Sequence, residues 1–147
     1  MTTTVIHPTD FSEEAKAAEA EAVRLARALG GELVLLHVAV EAPLYGETAF
    51  GRDEVRRVYE EQARWAENEL AGRARRLGDS GVVTRWRRSV GIPHDEIVKA
   101  AQEERAAYIV MGTHGRAGFV RFMLGSVADR VVRTATCPVV TVRPASG

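Results

Sequence analysis

Cysteine is almost missing from this chain. Cys137 stands alone, so no internal disulfide can form, and a reducing compartment is expected. Lysine is nearly as scarce: Lys16 and Lys99 are joined by arginines as the other basic residues. No sign of charge dominates, with 20 basic residues against 20 acidic ones. A basic excess is the footprint of a general nucleic-acid or membrane-surface binder, so neither partner is expected. No apolar run approaches the roughly 20 residues of a membrane span. The start, MTTTVIHPTD, carries no basic segment followed by an apolar stretch, so no signal peptide is read and the cytoplasm is the expected location. Repeats, low-complexity tracts and linkers are missing too. A length of 147 residues suits one domain, 1–147, able to bury about two thirds of its unfolded surface without staples.

What is present alternates between short apolar runs and longer helical periodicities. Val5 and Ile6 open a strand, and the loop PTDFS follows. From Glu13 to Leu29 the apolar residues Ala15, Ala18, Ala22, Leu25, Ala26 and Leu29 fall at helical spacing, with Gly30 and Gly31 as the stop. ELVLLHV is an apolar strand. Residues 39–51 read as a loop, either a lid with Tyr45 and Phe50 as apolar contacts or a plain connection. A long helix is expected from about Asp53 to Leu77, with a stripe of Val55, Val58, Tyr59, Gln62, Ala66, Leu70 and Leu77. VVTRWRRSV alternates as a half-exposed strand, GIPHDEIVKAAQEER gives a turn and a helix, and YIVMG is a fully apolar strand. A glycine-rich loop, a helix over 126–135 and the strand PVVTV complete the chain.

This β-α-β-α-β-α-β-α-β pattern predicts an α/β fold: a five-stranded parallel sheet with helices on both faces, joined by right-handed crossovers. The strand with Trp86 and its arginines looks like an edge, which favours the strand order 3-2-1-4-5. The switch point then lies between the first and fourth strands, where ligands sit beyond the strands' carboxyl ends. PTDFS and GTHGRAGF are the two loops at that point.

The second loop carries the main chemical signal. Gly112 ends a strand, and Gly125 and Ser126 begin a helix. Glycine lets main-chain amides approach a polyphosphate, a helix start offers unpaired N–H groups, and Ser126, Arg116 or Arg121 can add donors and charge. Against this, Ser126-Val127-Ala128-Asp129 fits a helix capping box, and loop glycines often only turn the chain. The loop is neither a Walker motif nor a G-x-G-x-x-G dinucleotide motif.

The spacing Gly112-x2-Gly115-x9-Gly125-Ser126 resembles the ATP-binding signature of the universal stress protein family. The flanks IVMGTHGR and GSVADRVVRTATCPVVTV, the first loop PTDFS, LLHV at 35–38 and the turn Gly91-Ile92-Pro93 resemble the family too. The likeness is weakest between residues 42 and 90. It implies a Rossmann-like fold of the adenine nucleotide alpha hydrolase type. It further implies that Pro8, Thr9 and Asp10 line the nucleoside side, with the carboxylate suited to ribose hydroxyls. Val38 would meet the adenine edge, and Met111 and Gly112 would flank ribose and phosphates. Gly115, Arg116, Gly125, Ser126 and Val127 would cradle the phosphates of ATP, ADP or AMP. A divalent ion, Mg2+ or Mn2+, would sit on phosphate oxygens. The chain departs from the family at Ala107 and Asp129, outside the phosphate pattern.

Other residues have blander readings. Asp10 can equally support the first helix's turn. His7 and His37 are expected in or near the core, His94 at a helix start, and His114 either at the ligand or in solvent. The histidines have no metal-ligand spacing with each other or with Cys137. Cys137 reads as buried and inert, and Trp65 and Trp86 as packing or cover. No nucleophile–base pair is visible and the glycine loop lacks a lysine, so a regulatory nucleotide binder with little or no turnover is expected. The alternatives are a slow ATPase or phosphotransferase, and a structural dimer without nucleotide. The last strand, Val139-Val140-Thr141-Val142, is an exposed-edge liability that a homodimer would cover, as the resemblance also implies.

Overall fold

A computed structural model describes residues 2–40, 51–114 and 124–144. The elements in chain order are β1 (Thr4–Pro8), α1 (Glu13–Ala28), β2 (Glu32–Ala39), α2 (Arg52–Asp79), β3 (Thr84–Val90), α3 (Pro93–Glu103), β4 (Tyr108–Gly112), α4 (Ser126–Thr134) and β5 (Val139–Val142). The strands form one five-stranded sheet in the order β3-β2-β1-β4-β5, with every neighbouring pair parallel. The expected order and edge are therefore the observed ones.

Because neighbouring residues in a strand point to opposite faces, each strand feeds two cores. Ile6, Val34, Leu36, Ile109 and Met111 pack with Ile97, Ala100, Ala128 and Val131 of α3 and α4. Val5, Leu33, Leu35 and Val110 pack with Ala22, Ala26, Leu70 and Ala74 of α1 and α2 on the other face. Ser12 starts α1, its Oγ accepting from the amide of Ala15 at 3.2 Å, and the helix buries only alanines, Ala15, Ala18, Ala22 and Ala26. Such small side chains let it lie close to the sheet. Pro93 opens α3 at a position where its missing N–H costs nothing. Among the described residues no helix is long and apolar enough to cross a membrane.

Two expectations need correction. Leu29 follows α1 as its C-cap and is 41 % exposed instead of completing the apolar stripe. Of the stripe expected in α2 only Ala66 and Leu70 are buried; Val55 and Leu77 are half-buried, Val58 and Tyr59 are 51 % and 40 % exposed, Gln62 is exposed as well, and Ala74, outside the expected stripe, is buried. The reason is length. At 1.5 Å per residue the 28-residue helix spans about 42 Å, whereas a strand of five to eight residues spans about 17–27 Å. The first half of α2 outruns the sheet it would cover.

The β3 edge is guarded by charge. Arg85 bridges Glu32 of β2 and Glu104, both at 2.8 Å, and Arg87 reaches Glu104 at 3.2 Å. Arg85 holds both glutamates below the usual carboxylate range, its hydrogen bond being the largest cause at each, and Arg87 adds to the effect at Glu104. Charged side chains of this kind blunt an edge against pairing with another chain.

Candidate functional site

At the carboxyl ends of the strands, on the α3–α4 face, lies a cavity of about 470 Å³. That volume falls within the usual range for small-molecule sites. Three groups of residues supply most of it, and Ala15 of α1 is a further lining residue. The ends of β1 and β4 supply Pro8, Thr9, Asp10, Met111, Gly112, Thr113 and His114 at the centre. The end of β2 and the start of α3 supply Leu36, Val38, Val40, Pro93 and Ile97 on one side. Gly125, Ser126, Val127 and Ala128 of the α4 start close the other. The strand order fixes this arrangement, because β2 and β4 flank β1 on opposite sides. One flank is thus apolar, and the other is built from main chain and small side chains.

The first loop is shaped by its own hydrogen bonds. Thr9 is tied to β2 through its amide, which donates to the Leu36 carbonyl at 2.8 Å. Asp10 accepts from the amide of Ser12 at 3.0 Å, which makes it a turn-former, while Ser12 does the capping of α1. The turn and the cavity therefore use the same residue. His37, half-buried in β2, donates from Nδ1 to the carbonyl of Thr9 at 2.9 Å and pins the loop from the opposite face.

At α4 the capping-box reading gives way to another geometry. Gly125 is the N-cap and has no side chain to satisfy the first turn; Ser126 is the first helical residue and is exposed. Asp129 pairs forward with Arg133 at 3.0 Å instead of reaching back. An α-helix leaves its first amides without intrahelical partners, and here they open onto the cavity with the positive end of the helix dipole. Gly125 is needed for a close approach: an added Cβ would lie 3.0 Å from the Thr113 carbonyl oxygen, to which the Gly125 amide donates at 2.7 Å. Gly112 is less constrained, its virtual Cβ meeting nothing nearer than 3.6 Å.

Pro8, Thr9, Asp10, Val38, Met111, Gly112, Gly125, Ser126 and Val127 are thus brought together around one cavity. Gly115 and Arg116 lie outside the described residues, as do Arg121 and the lid candidates Tyr45 and Phe50. Sequence reasoning missed Ala15, Leu36, Val40, Pro93, Ile97, Thr113 and Ala128. Ile97 and Ala128 carry ordinary helical-stripe signals, and only the placement of their helices over the strand ends makes them lining residues. His114 lines the cavity, with its Nδ1 2.9 Å from Thr113 Oγ1. His7 faces the other side of the sheet, fully buried, with its Nδ1 donating to the Val110 carbonyl at 2.8 Å. Burial pushes its pKa down. Cys137, expected to be buried, is only half-buried, and that partial burial still pushes its thiol pKa up, away from the reactive thiolate. Among the described residues, no group of three or more His, Cys, Asp or Glu is placed to hold a metal ion.

Comparison with known proteins agrees with this fold. Residues 1–143 match the Universal stress protein family. The universal stress protein MJ0577 of Methanocaldococcus jannaschii is 30% identical over 154 residues, covering 95% of this chain and 93% of that protein. Its solved structure superimposes with a TM-score of 0.75, covering 100% of this chain and 99% of the other. The universal stress protein UspA from Lactobacillus plantarum, 26% identical, reaches a TM-score of 0.84 over 96% of this chain and 97% of its own. A universal stress protein from Archaeoglobus fulgidus in complex with dAMP is 25% identical, with a TM-score of 0.67 over 96% of this chain and 97% of that one.

Proposed function

The chain belongs to the universal stress protein family, and from that premise we propose that it is a single-domain, cytoplasmic, adenine-nucleotide-binding regulatory protein with little or no turnover. The observation that carries this reading is the asymmetry of the cavity. Its β2–α3 flank is apolar, with Leu36, Val38, Val40 and Ile97 suited to a purine face. Its α4 flank presents helix-start amides with no side-chain cap among the described residues, at the positive end of the helix and suited to phosphate. Asp10 lies between them at the end of β1, where a carboxylate can accept from ribose hydroxyls. The Archaeoglobus fulgidus relative solved with dAMP supports an adenine nucleotide as the class of ligand.

ATP, ADP or AMP is the ligand in this reading; the family resemblance assigns Gly115 and Arg116, outside the described residues, to the phosphates together with Gly125, Ser126 and Val127. Mg2+ or Mn2+ would ride on the phosphate oxygens. What supports binding without turnover is the chemistry of the described lining. Phosphoryl transfer needs a positioned base and a charge clamp at the γ-phosphate, and the described lining offers aliphatic, hydroxyl and main-chain groups with Asp10 and His114 as its titratable members.

Mass spectrometry of the ligand released from freshly purified protein tests the assignment. An adenine nucleotide at about one per chain is expected, since a site of this size encloses one such ligand. Recovery of a different ligand class, together with no calorimetric binding of ATP or AMP, overturns it. Phosphate release at several turnovers per second would overturn the regulatory reading and favour a hydrolase.

A homodimer through β5 is part of the same proposal. In the β4–β5 ladder the amides of Ile109 and Thr113 donate to Pro138 and Val142. Residues 138, 140 and 142 therefore face β4 with their main-chain groups, and those of Val139 and Thr141 face outward, ready for a second copy. Thr141→Pro removes an outward donor and is expected to shift the native mass to monomer, whereas an unchanged dimer mass would place the interface elsewhere.

A further inference from the structure

The turn that carries Thr9 and Asp10 into the cavity is held in a conformation that its own sequence disfavours. Phe11 has φ +65°, in the left-handed region that residues other than glycine rarely visit. Hydrogen bonds shape the turn: the Phe11 amide donates to Thr9 Oγ1 at 3.0 Å, and the Ser12 amide to Asp10 Oδ1 at 3.0 Å. Both would serve a glycine at position 11 equally well, so they do not account for a phenylalanine there.

The ring does. It leaves the cavity side and enters the α1–α2 face, where three side chains grip it. The His37 ring lies 4.6 Å away between centroids, and Trp65 of α2 meets it edge-on at 5.2 Å. The Arg73 guanidinium carbon sits 5.3 Å from the ring centre, and Arg73 is itself anchored to Glu19 of α1 at 3.0 Å. Aromatic and cation–π contacts of this geometry add to simple area burial. His37 also holds the Thr9 carbonyl, so one side chain fixes both the ring and the turn.

We propose that Phe11, clamped by His37, Trp65 and Arg73, is a positioning residue that holds Thr9 and Asp10 in the ligand-binding geometry, and that Trp65 thereby senses occupancy of the cavity from the far face of the sheet. This rests on the adenine-nucleotide reading above. The physical basis is preorganisation. An unclamped phenylalanine in that turn drifts toward the allowed regions and carries Asp10 with it. The apparent affinity then falls by the fraction of molecules still in the competent conformation. Nothing that touches the ligand need change.

The test uses the full chain in a Trp86→Phe background, which leaves Trp65 as the fluorescent tryptophan. Affinities for ATP, and for AMP in parallel, come from equilibrium dialysis. Phe11→Tyr keeps the ring and is expected to bind within about twofold of the parent, Phe11→Gly about threefold weaker, and Phe11→Ala about tenfold weaker, because glycine enters the left-handed region freely and alanine does not. Trp65 emission should shift on ATP addition with the midpoint that dialysis gives. A purely structural role for the ring reverses glycine and alanine, since glycine removes more contact and more backbone order. That reversal, or equal affinity in all variants, overturns the proposal while leaving nucleotide binding intact. A Trp65 signal blind to saturating ATP overturns the sensing role. Failure of the parent to bind either nucleotide overturns the functional reading itself, and the proposal with it. Should Phe11→Ala not yield folded protein, Trp65→Ala replaces it: an affinity loss of about threefold, recovered in Trp65→Phe, supports the clamp, and no loss overturns it.

Discussion

The carboxyl end of the sheet is open on one face and closed on the other. Toward α3 and α4 it leaves a hollow of about 470 Å³ floored by β1, β2 and β4. Toward α1 and α2 the same strand ends are filled by Phe11, His37, Trp65 and Arg73. The strands contribute to both sides by alternation, β1 giving Pro8 to the cavity and His7 to the opposite core. The difference lies in what surrounds them. The α4 side brings glycine and alanine near the strand ends, and the α2 side brings an aromatic ring and a long arginine. The hollow is therefore a shaped site backed by a filled wall.

Filling the open side gives the largest expected effect. Gly125→Val places a branched side chain against the Thr113 carbonyl and the α4 amides, and should weaken ATP binding by about 100-fold or more by calorimetry, corresponding to about 2.7 kcal/mol. Gly112→Ala, with room for its methyl, should stay within a few-fold of the parent and remain folded. Wild-type affinity in Gly125→Val would dissolve the contrast between the two sides.

A core deletion comes next. Leu33 is fully buried at the amino end of β2, on the closed face. Leu33→Ala is expected to cost about 2–5 kcal/mol in urea unfolding, with nucleotide affinity of the folded fraction unchanged. Ile97→Ala enlarges a hollow already present, so it should cost less, about 1–2 kcal/mol, and should weaken binding. If both variants weakened binding alike, the two faces would have to be treated as one unit.

Acidity addresses the faces separately. His7 belongs to the closed side, and burial lowers its folded pKa below the ordinary value of about 6.5. The unfolded chain then binds more protons, so this contribution to stability is complete above pH ~6.5 and is lost as pH falls through the lower folded pKa. A thermal-shift series from pH 7 to 5 should show Tm falling in the parent and a flatter profile in His7→Gln.

The smallest effect is expected on the α3 face. Arg85 depresses the pKa values of Glu32 and Glu104, so their contribution is present above the ordinary glutamate value of about 4.3 and fades as pH drops through the folded values. Arg85 is half-exposed, and solvent screening limits the gain. Arg85→Ala should cost about 0.5 kcal/mol at neutral pH and flatten the Tm profile between pH 5 and 3. A pH 5–7 slope that moved in Arg85→Ala, or a pH 3–5 slope that moved in His7→Gln, would show that the faces titrate together.

Much of this architecture was legible beforehand. Apolar runs such as YIVMG marked the buried strands, the arginines around Trp86 marked the β3 edge, and the glycine spacing pointed to the α4 side of the cavity. The misreadings have one cause. Leu29, Val58 and Tyr59 obey helical periodicity, but periodicity says which residues share a stripe and nothing about where the sheet beneath it ends. Ser126 was ambiguous for a related reason. A capping box and a ligand-facing helix start share a sequence, and the difference is whether Gly125 or Ser126 takes the N-cap.

Sequence alone determined the alternation of elements, the strand order through the polar edge strand, and the family, because hydrophobic period and glycine spacing are properties of neighbouring positions. Tertiary structure alone decided that Ile97 and Leu36 line the cavity and that α2 overhangs the sheet. It also decided that Phe11 sits in a left-handed conformation braced by residues 26 and more positions away. Such pairings depend on which side chains meet across a folded sheet, and no local pattern in the chain encodes that distance.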